Sequence, residues 1–238
     1  MSLKKSNGNM YPWISHMHTH LAGECGHRCS YCYVGRNRFG RAEKYTGPAR
    51  LLEKELTVDY GAGKTIFIEH MNDLFCGDIP NEWILKIMMH LREYPANAYV
   101  FQTKNPERAL GWRALFPDGS LIGTTIETNR PVECSQAPPP YSRKIGIAEL
   151  RDRGKRVFVT VEPIMDFDVE ILIAWIAEIK PEFVNIGADS KGSNLPEPPA
   201  AKVIAFINLL KRMGIYIREK KNFGRLMQGF PIIGGKTC

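Results

Sequence analysis

Short apolar runs alternate with amphipathic stretches along most of this chain, and that rhythm constrains its fold more than any other feature. Residues 14–21, 65–68, 98–101, 121–126, 156–161 and 183–186 read as strands. Between them the spacing predicts helices over 49–58, 80–93, 142–153, 168–179 and 200–213, with a short one opening at Asn105-Pro106. Leu51, Leu52 and Leu56 set the first of these; Ile84, Ile87, Met88 and Leu91 share one face of the second. Asp168 is a candidate cap, Gly154 and Gly214 are candidate stops, and 215–217 is a candidate further strand. Strands alternating with helices imply a parallel sheet covered by helices. Six such units are too few for an eight-fold barrel. The expected fold is therefore α/β, a partial (β/α)6 TIM-like barrel of parallel strands. In such folds ligands collect at the C-terminal ends of the strands.

The chain has 238 residues, 44% of them hydrophobic, enough to bury a core without staples. One domain, 1–238, is expected, with a core over about 10–215 and a basic C-terminal extension over 216–238. Pro138-Pro139-Pro140 and 195–199 read as loops. Gly61-Ala62-Gly63-Lys64-Thr65 precedes a strand instead of following one, so it reads as a turn and not a phosphate loop. No apolar stretch approaches the roughly 20 residues of a membrane span. Residues 1–6 lack an apolar signal core, so a cytoplasmic protein with no membrane partner is expected.

Three of six cysteines cluster as C-x3-C-x2-C at Cys25, Cys29 and Cys32, just after the first expected strand; Cys76, Cys134 and Cys238 are scattered. In a cytosolic chain such a cluster favours metal over disulfides. Thiolates suit iron–sulfur clusters and zinc. A structural zinc site needs four closed ligands, and His27 or His20 would have to supply the fourth. His16, His18 and His20 alternate on one strand face, which suits either a second metal site or polar packing.

The Cys loop, with Tyr31 before its third cysteine, resembles that of the radical S-adenosylmethionine (radical SAM) enzymes. Polar motifs follow the later strands: Met71-Asn72-Asp73-Leu74-Phe75, Thr103-Lys104-Asn105-Pro106, Gly123-Thr124-Thr125-Ile126-Glu127, Val161-Glu162-Pro163 and Asn185-Ile186-Gly187-Ala188-Asp189. The succession resembles a phage- and bacteria-associated radical SAM family, and the Cys loop is similar to that of spore photoproduct lyase, which acts on DNA. The resemblance implies that Cys25, Cys29 and Cys32 hold a 4Fe–4S cluster. SAM would chelate the fourth iron, and a donor such as flavodoxin or ferredoxin would deliver the electron. Reductive cleavage would then give methionine and a 5′-deoxyadenosyl radical that abstracts hydrogen.

By the same resemblance Tyr31 lies beside the adenine, and Asn72, Asp73, Thr125, Glu127, Glu162, Asn185 and Gly187 face the cofactor. Asn72 and Asp73 stand where the family has a Gly-Gly-Glu run, and Asp73 has the alternative of capping a turn. Lys104 is a candidate catalytic or substrate-binding residue, with neutralisation of Glu127 as its alternative. Cys76 is a candidate hydrogen donor or a buried inert thiol. Arg36, Arg38, Lys104 and Asp189 are candidate substrate contacts.

The formal charge is +7. Arg36, Arg38, Arg41 and Lys44 interleave with Phe39 and Tyr45, and Arg212, Arg218, Lys220, Lys221 and Arg225 form a second basic stretch. These suit an anionic partner or a solvated surface. The expected activity is nucleotide modification, on a nucleotide or a base in nucleic acid. A phosphorylated or carboxylated small metabolite is the second reading. A non-enzymatic nucleic-acid-binding module with structural zinc or an iron–sulfur site is the third. Reaction outcome (lyase, isomerase or transferase) and oligomeric state are not fixed by these residues.

Overall fold

The computed structural model describes residues 3–6, 11–34, 43–190 and 192–227. Ten strands occur among them: β1 Lys4–Lys5, β2 His16–His18, β3 Leu21–Ala22, β4 Arg50–Leu51, β5 Thr65–Ile68, β6 Ala98–Thr103, β7 Leu121–Thr125, β8 Arg156–Val161, β9 Val184–Ile186 and β10 Ile217–Glu219. The helices are α1 Asn81–Arg92, α2 Pro106–Gly111, α3 Pro140–Asp152, α4 Val169–Ile179 and α5 Ala200–Arg212. One sheet runs β1-β2-β5-β6-β7-β8-β9-β10, and a two-stranded sheet pairs β3 with β4. Within the larger sheet every pairing from β2 to β10 is parallel, and β1 lies antiparallel against β2; β3 and β4 pair antiparallel. Consecutive parallel strands are neighbours throughout, as in a barrel that has not closed.

The parallel strands number seven: the six expected and the candidate further strand over 215–217, found at Ile217–Glu219. The seventh is β10, paired with β9 at Ile217↔Val184, so the expected extension from residue 216 begins with a strand of the sheet. Phe223 further along is buried in the same core. The first expected strand, 14–21, divides. Its front half is β2, and Leu21–Ala22 leaves to pair with Arg50–Leu51. For that reason the helix expected over 49–58 is absent: β4 is followed by a 3-10 turn, Glu53–Thr57. Leu52 N donates to His20 O and Gly23 N to Lys44 O, which hold the segment extended. Those long-range bonds outweigh a weak local helix preference. The first crossover, β2 to β5, thus carries the Cys loop and no α-helix among its described residues. Pro140 opens α3 two residues before the expected start, a position where its missing N–H costs nothing. Asp168 makes no cap bond. Its carboxylate is held by Arg130 and Asn129 instead.

Period-two alternation sorts the strand residues into two layers. Ile66, Phe101, Ile122, Val159 and Ile186 face outward into the main core under the helices. Phe67, Val100, Leu121, Phe158 and Phe183 face inward and fill the barrel with Tyr11 and Ile14. Arg218 closes this inner cluster, its guanidinium 3.7 Å from the Phe183 ring centre and 4.9 Å from that of Trp13. His16, His18 and His20 do share a face. His20 meets His90 of α1 and Tyr60, and the His18 and His20 rings are 4.6 Å apart, so polar packing is what the structure shows. No helix among the described residues is long and apolar enough to cross a membrane.

Gly123 sits inside the barrel, where a Cβ would stand 2.2 Å from the Phe158 ring. Phe158 cannot retreat: Phe183 stacks on it at 5.2 Å and Tyr11 and Trp13 meet it edge-on. Gly123→Ala should therefore cost about 1–3 kcal/mol, read as a drop in Tm of about 2–4 °C per kcal/mol. Adding Phe158→Leu should cost less than the sum of the two single changes. Additive costs in thermal melts would refute the contact.

Candidate functional site

Above the apolar plug, the same alternation points a polar layer inward from four successive strands. Gln102 Nε2 donates to Thr125 Oγ1 at 2.9 Å, and Tyr11 O–H donates to Gln102 Oε1 at 2.6 Å. Tyr11 OH also lies 3.0 Å from Thr160 Oγ1, which accepts from Asn185 Nδ2 at 3.1 Å. The run crosses the barrel from β7 to β9 and ends at Asn185 Oδ1, buried without a hydrogen-bond partner. One residue layer higher, just past the strand ends, stand Lys104, Glu127, Glu162, Gly187 and Lys220.

The Cys loop lies over the ends of β5, β6 and β7. Tyr31 O–H donates to Glu127 Oε1 and accepts from Lys104 Nζ at 2.5 Å. Tyr33 O–H donates to the His70 carbonyl. His27 Nε2 bonds Asp73 Oδ2 at 2.8 Å. From the other side, Ser30 N donates to Cys134 O and Gln136 N to His27 O. Gly26 fits because any Cβ would strike the Asp78 carboxylate at 2.7 Å. Cys25, Cys29 and Cys32 are all half-buried. As a set they do not close to single-ion distance; the only Cys/His/Asp/Glu group among the described residues that does is Cys25, His27 and Cys76. Around one zinc ion, sulfur ligands stand about 3.8 Å apart, given Zn–S bonds of about 2.3 Å. The loop geometry therefore disfavours a single zinc held by these three thiols.

Glu127 is fully buried between two cations. Arg143 Nη1 donates to its Oε2 at 2.8 Å and Lys104 Nζ pairs with its Oε1. Burial pushes the carboxyl up, but Lys104 and Arg143 outweigh it and hold it down at about 2. Asp73 is likewise saturated. Its oxygens accept from His27, Thr103 Oγ1, Lys104 N and Phe75 N, so it both caps the following turn and anchors the loop. Burial raises its pKa and His27 more than reverses this. Glu69, not singled out from the sequence, accepts from Thr19, His20 and Leu21.

Glu162 differs. Among the described residues its polar contacts are long ones, 3.3 Å to Lys220 Nζ and 3.4 Å to Asn222 Nδ2, and burial leaves its pKa raised. Gly187 faces it, and a Cβ there would meet the Glu162 carboxyl at 2.8 Å, so glycine keeps this carboxylate's space open.

The other expected residues fall as follows. Asn72 donates to Gly23 O and its own side chain accepts from Asp73 N, so it ties the β5 end to the Cys loop. Thr125 belongs to the polar floor. Lys104 neutralises Glu127, as its alternative reading had it. Asp189 accepts from Ser193 and organises its own loop. Cys76 is buried beside His27 and Cys25. Arg36, Arg38, Arg41, Phe39 and Cys238 lie outside the described residues. In the second basic stretch, Arg218, Lys220 and Arg225 are engaged by aromatic rings, Glu162 and Glu197.

Sequence reasoning missed Gln102, Thr160 and Arg143. The first two stand two residues before Lys104 and Glu162, so period two would have found them. Arg143 had no local signal; only the packing of α3 on β7 brings it to Glu127.

No protein-family model matches the sequence, and no curated protein matches it. Among solved structures the chain aligns with a tyrosine-to-phenylalanine mutant of spore photoproduct lyase at a TM-score of 0.62 and 10% identity, over 91% of this chain and 80% of that one. A double mutant of the same enzyme, with bound AdoMet and dinucleoside spore photoproduct, aligns at 0.61 and 10% identity, again over 91% and 80%. Streptococcus suis SuiB bound to S-adenosylmethionine aligns at 0.55 and 10% identity, over 92% of this chain and 53% of SuiB. The fold is that of the radical SAM enzymes.

Replacing Glu127 by Gln leaves two buried cations facing a neutral amide, which should cost about 3–5 kcal/mol at neutral pH. A carboxyl whose pKa is lowered by folding stabilises the fold above its ordinary value, here 4.5, and stops doing so as pH falls towards about 2. The stability gap between wild type and Glu127→Gln should accordingly shrink between pH 4.5 and 2 in thermal or urea melts. A gap independent of pH across that window would refute the buried ion pair.

Proposed function

We propose that this chain is a radical SAM enzyme whose cluster is held by Cys25, Cys29 and Cys32. The observation that carries the reading is the Cys loop itself. Three half-buried thiols, too far apart for one ion, sit over the polar mouth of a fold shared with enzymes solved with AdoMet or S-adenosylmethionine. The surrounding residues fit the two groups. Soft thiols suit the irons. Asn185 Oδ1 is a buried acceptor without a partner, and Glu162 is a strand-end carboxylate with capacity to spare.

Bound there, the cluster and SAM would supply one-electron reductive cleavage and, through it, hydrogen abstraction from the substrate. The chain's own residues bind and orient. Tyr31 is held by Lys104 and Glu127 next to Cys29 and Cys32, so its ring offers the adenine a fixed face. Glu162, facing Gly187, accepts from an ammonium group. Thr125 and Asn185 present the floor on which the ligand rests. Glu127, Asp73 and Asn72 act at one remove, by fixing the loop.

The substrate class we assign is an anionic nucleotide or a base within nucleic acid. The +7 charge supports this, as does a fold neighbour solved with dinucleoside spore photoproduct. The engagement of Arg218, Lys220 and Arg225 by the fold favours the second reading, a phosphorylated or carboxylated small metabolite that needs fewer free cations. A flavodoxin- or ferredoxin-type protein would supply electrons.

Anaerobic reconstitution should give a brown protein with about four irons per chain. Reductant plus SAM should then release 5′-deoxyadenosine, and Cys29→Ala should lose both. A chain that takes up no iron and sulfide under these conditions would sink the enzyme reading. A salt-dependent gel shift separates nucleic acid from small metabolites, and deuterium transfer into 5′-deoxyadenosine identifies the substrate.

A further inference from the structure

Cys76 is used by neither the cluster set nor the polar floor, yet it is not isolated. The donor atoms of Cys25, His27 and Cys76 all lie within 4.8 Å of one another. His27 Nδ1 is 3.5 Å from Cys76 Sγ, and the sulfurs of Cys25 and Cys76 lie within 4.8 Å of each other. In a tetrahedral site with metal–sulfur bonds of about 2.3 Å and metal–nitrogen bonds of about 2.0 Å, adjacent ligand atoms stand about 3.5–3.8 Å apart. The His27–Cys76 pair already has that spacing.

The histidine is also aimed. Its Nε2 is 2.8 Å from Asp73 Oδ2, which points Nδ1 at the sulfurs. Asp73 is itself locked by Thr103 Oγ1, Lys104 N and Phe75 N. A carboxylate behind a ligating imidazole is the arrangement that fixes ring orientation and raises ligand basicity in metal sites. Cys29 takes no part: its Sγ lies 3.0 Å from Ser135 Oγ.

We propose that the cluster-free chain binds one zinc-type divalent cation through Cys25, His27 and Cys76, with Asp73 orienting His27. Two thiolates and an imidazole suit zinc, and three protein ligands leave the fourth position to water. Binding displaces the thiol protons to solvent. Cys25 belongs to this set and to the cluster set, so ion and cluster exclude each other. That last consequence rests on the cluster reading; the ion site does not.

The test uses the full chain, stripped with chelator and kept anaerobic, with Co²⁺ as probe. One Co²⁺ per chain is expected, with tetrahedral d–d bands and thiolate charge transfer, displaced by Zn²⁺. Cys76→Ser and His27→Gln should each weaken binding at least tenfold, and Asp73→Asn by about 10–100-fold. Cys29→Ser and Cys32→Ser should leave the spectrum intact; circular dichroism checks that each variant is folded. No tetrahedral spectrum, or bands lost in Cys29→Ser and kept in Cys76→Ser, would overturn the site. Iron uptake separates the two readings. Cys76→Ser should still load about four irons, and zinc preloading should slow loading in wild type but not in Cys76→Ser. Wild type that binds Co²⁺ but never iron and sulfide would defeat the cluster reading and leave this site standing.

Discussion

One buried carboxylate joins the parts of this protein that would otherwise be independent. Glu127 leaves the end of β7, takes Arg143 from α3 on one oxygen, and takes Lys104 from β6 and Tyr31 from the Cys loop on the other. A lone carboxylate at that depth would be neutral, because burial disfavours its charge. Two cations reverse the balance. The net charge of the group is positive, and Arg143 Nε remains without a partner. Such a cluster is a weak source of stability compared with apolar packing of the same volume. What it fixes is geometry: Tyr31, and with it the loop between Cys29 and Cys32, has one place to sit.

Much of this was legible in the chain, for a stated physical reason. Strands buried on both sides read as apolar runs, and their period-two alternation also carries the inward polar layer at Gln102, Thr125, Thr160 and Asn185. The loss came where local and long-range preferences compete. Leu51, Leu52 and Leu56 have helical spacing, but Leu51 pairs with Leu21, and a two-strand ladder replaces the helix. Ile217–Glu219 was legible as a short strand over 215–217, and its pairing with β9 sets the bounds two residues later. The site divides in the same way. Cysteines at fixed spacing are visible in any sequence, whereas the partnership of Arg143 with Glu127 or of Cys76 with His27 exists only once distant segments have met.

The strand-end carboxylates looked equivalent in sequence and are not equivalent in space. Glu69, Asp73 and Glu127 are filled by donors from the chain itself, and each holds part of the segment between β2 and β5. Glu162, among the described residues, meets only the long contacts to Lys220 and Asn222. The difference follows from the order of the sheet. The Cys loop enters from β3 and spans the ends of β5, β6 and β7, so those ends are consumed in holding it.

The mouth of the barrel therefore has two halves with different work. On the β5–β7 half, Glu69, Asp73 and Glu127 are filled by donors from the chain itself. The β8–β10 half keeps Glu162 at long distance from its neighbours, Gly187 as the clearance in front of it, and Asn185 Oδ1 without a partner. Most buried polar groups in a folded protein have a partner, and one without calls for an explanation. On that principle a ligand that bridges the loop and the sheet meets a rigid thiol-bearing wall on one side. On the other it finds a carboxylate and an amide oxygen ready to accept hydrogen bonds.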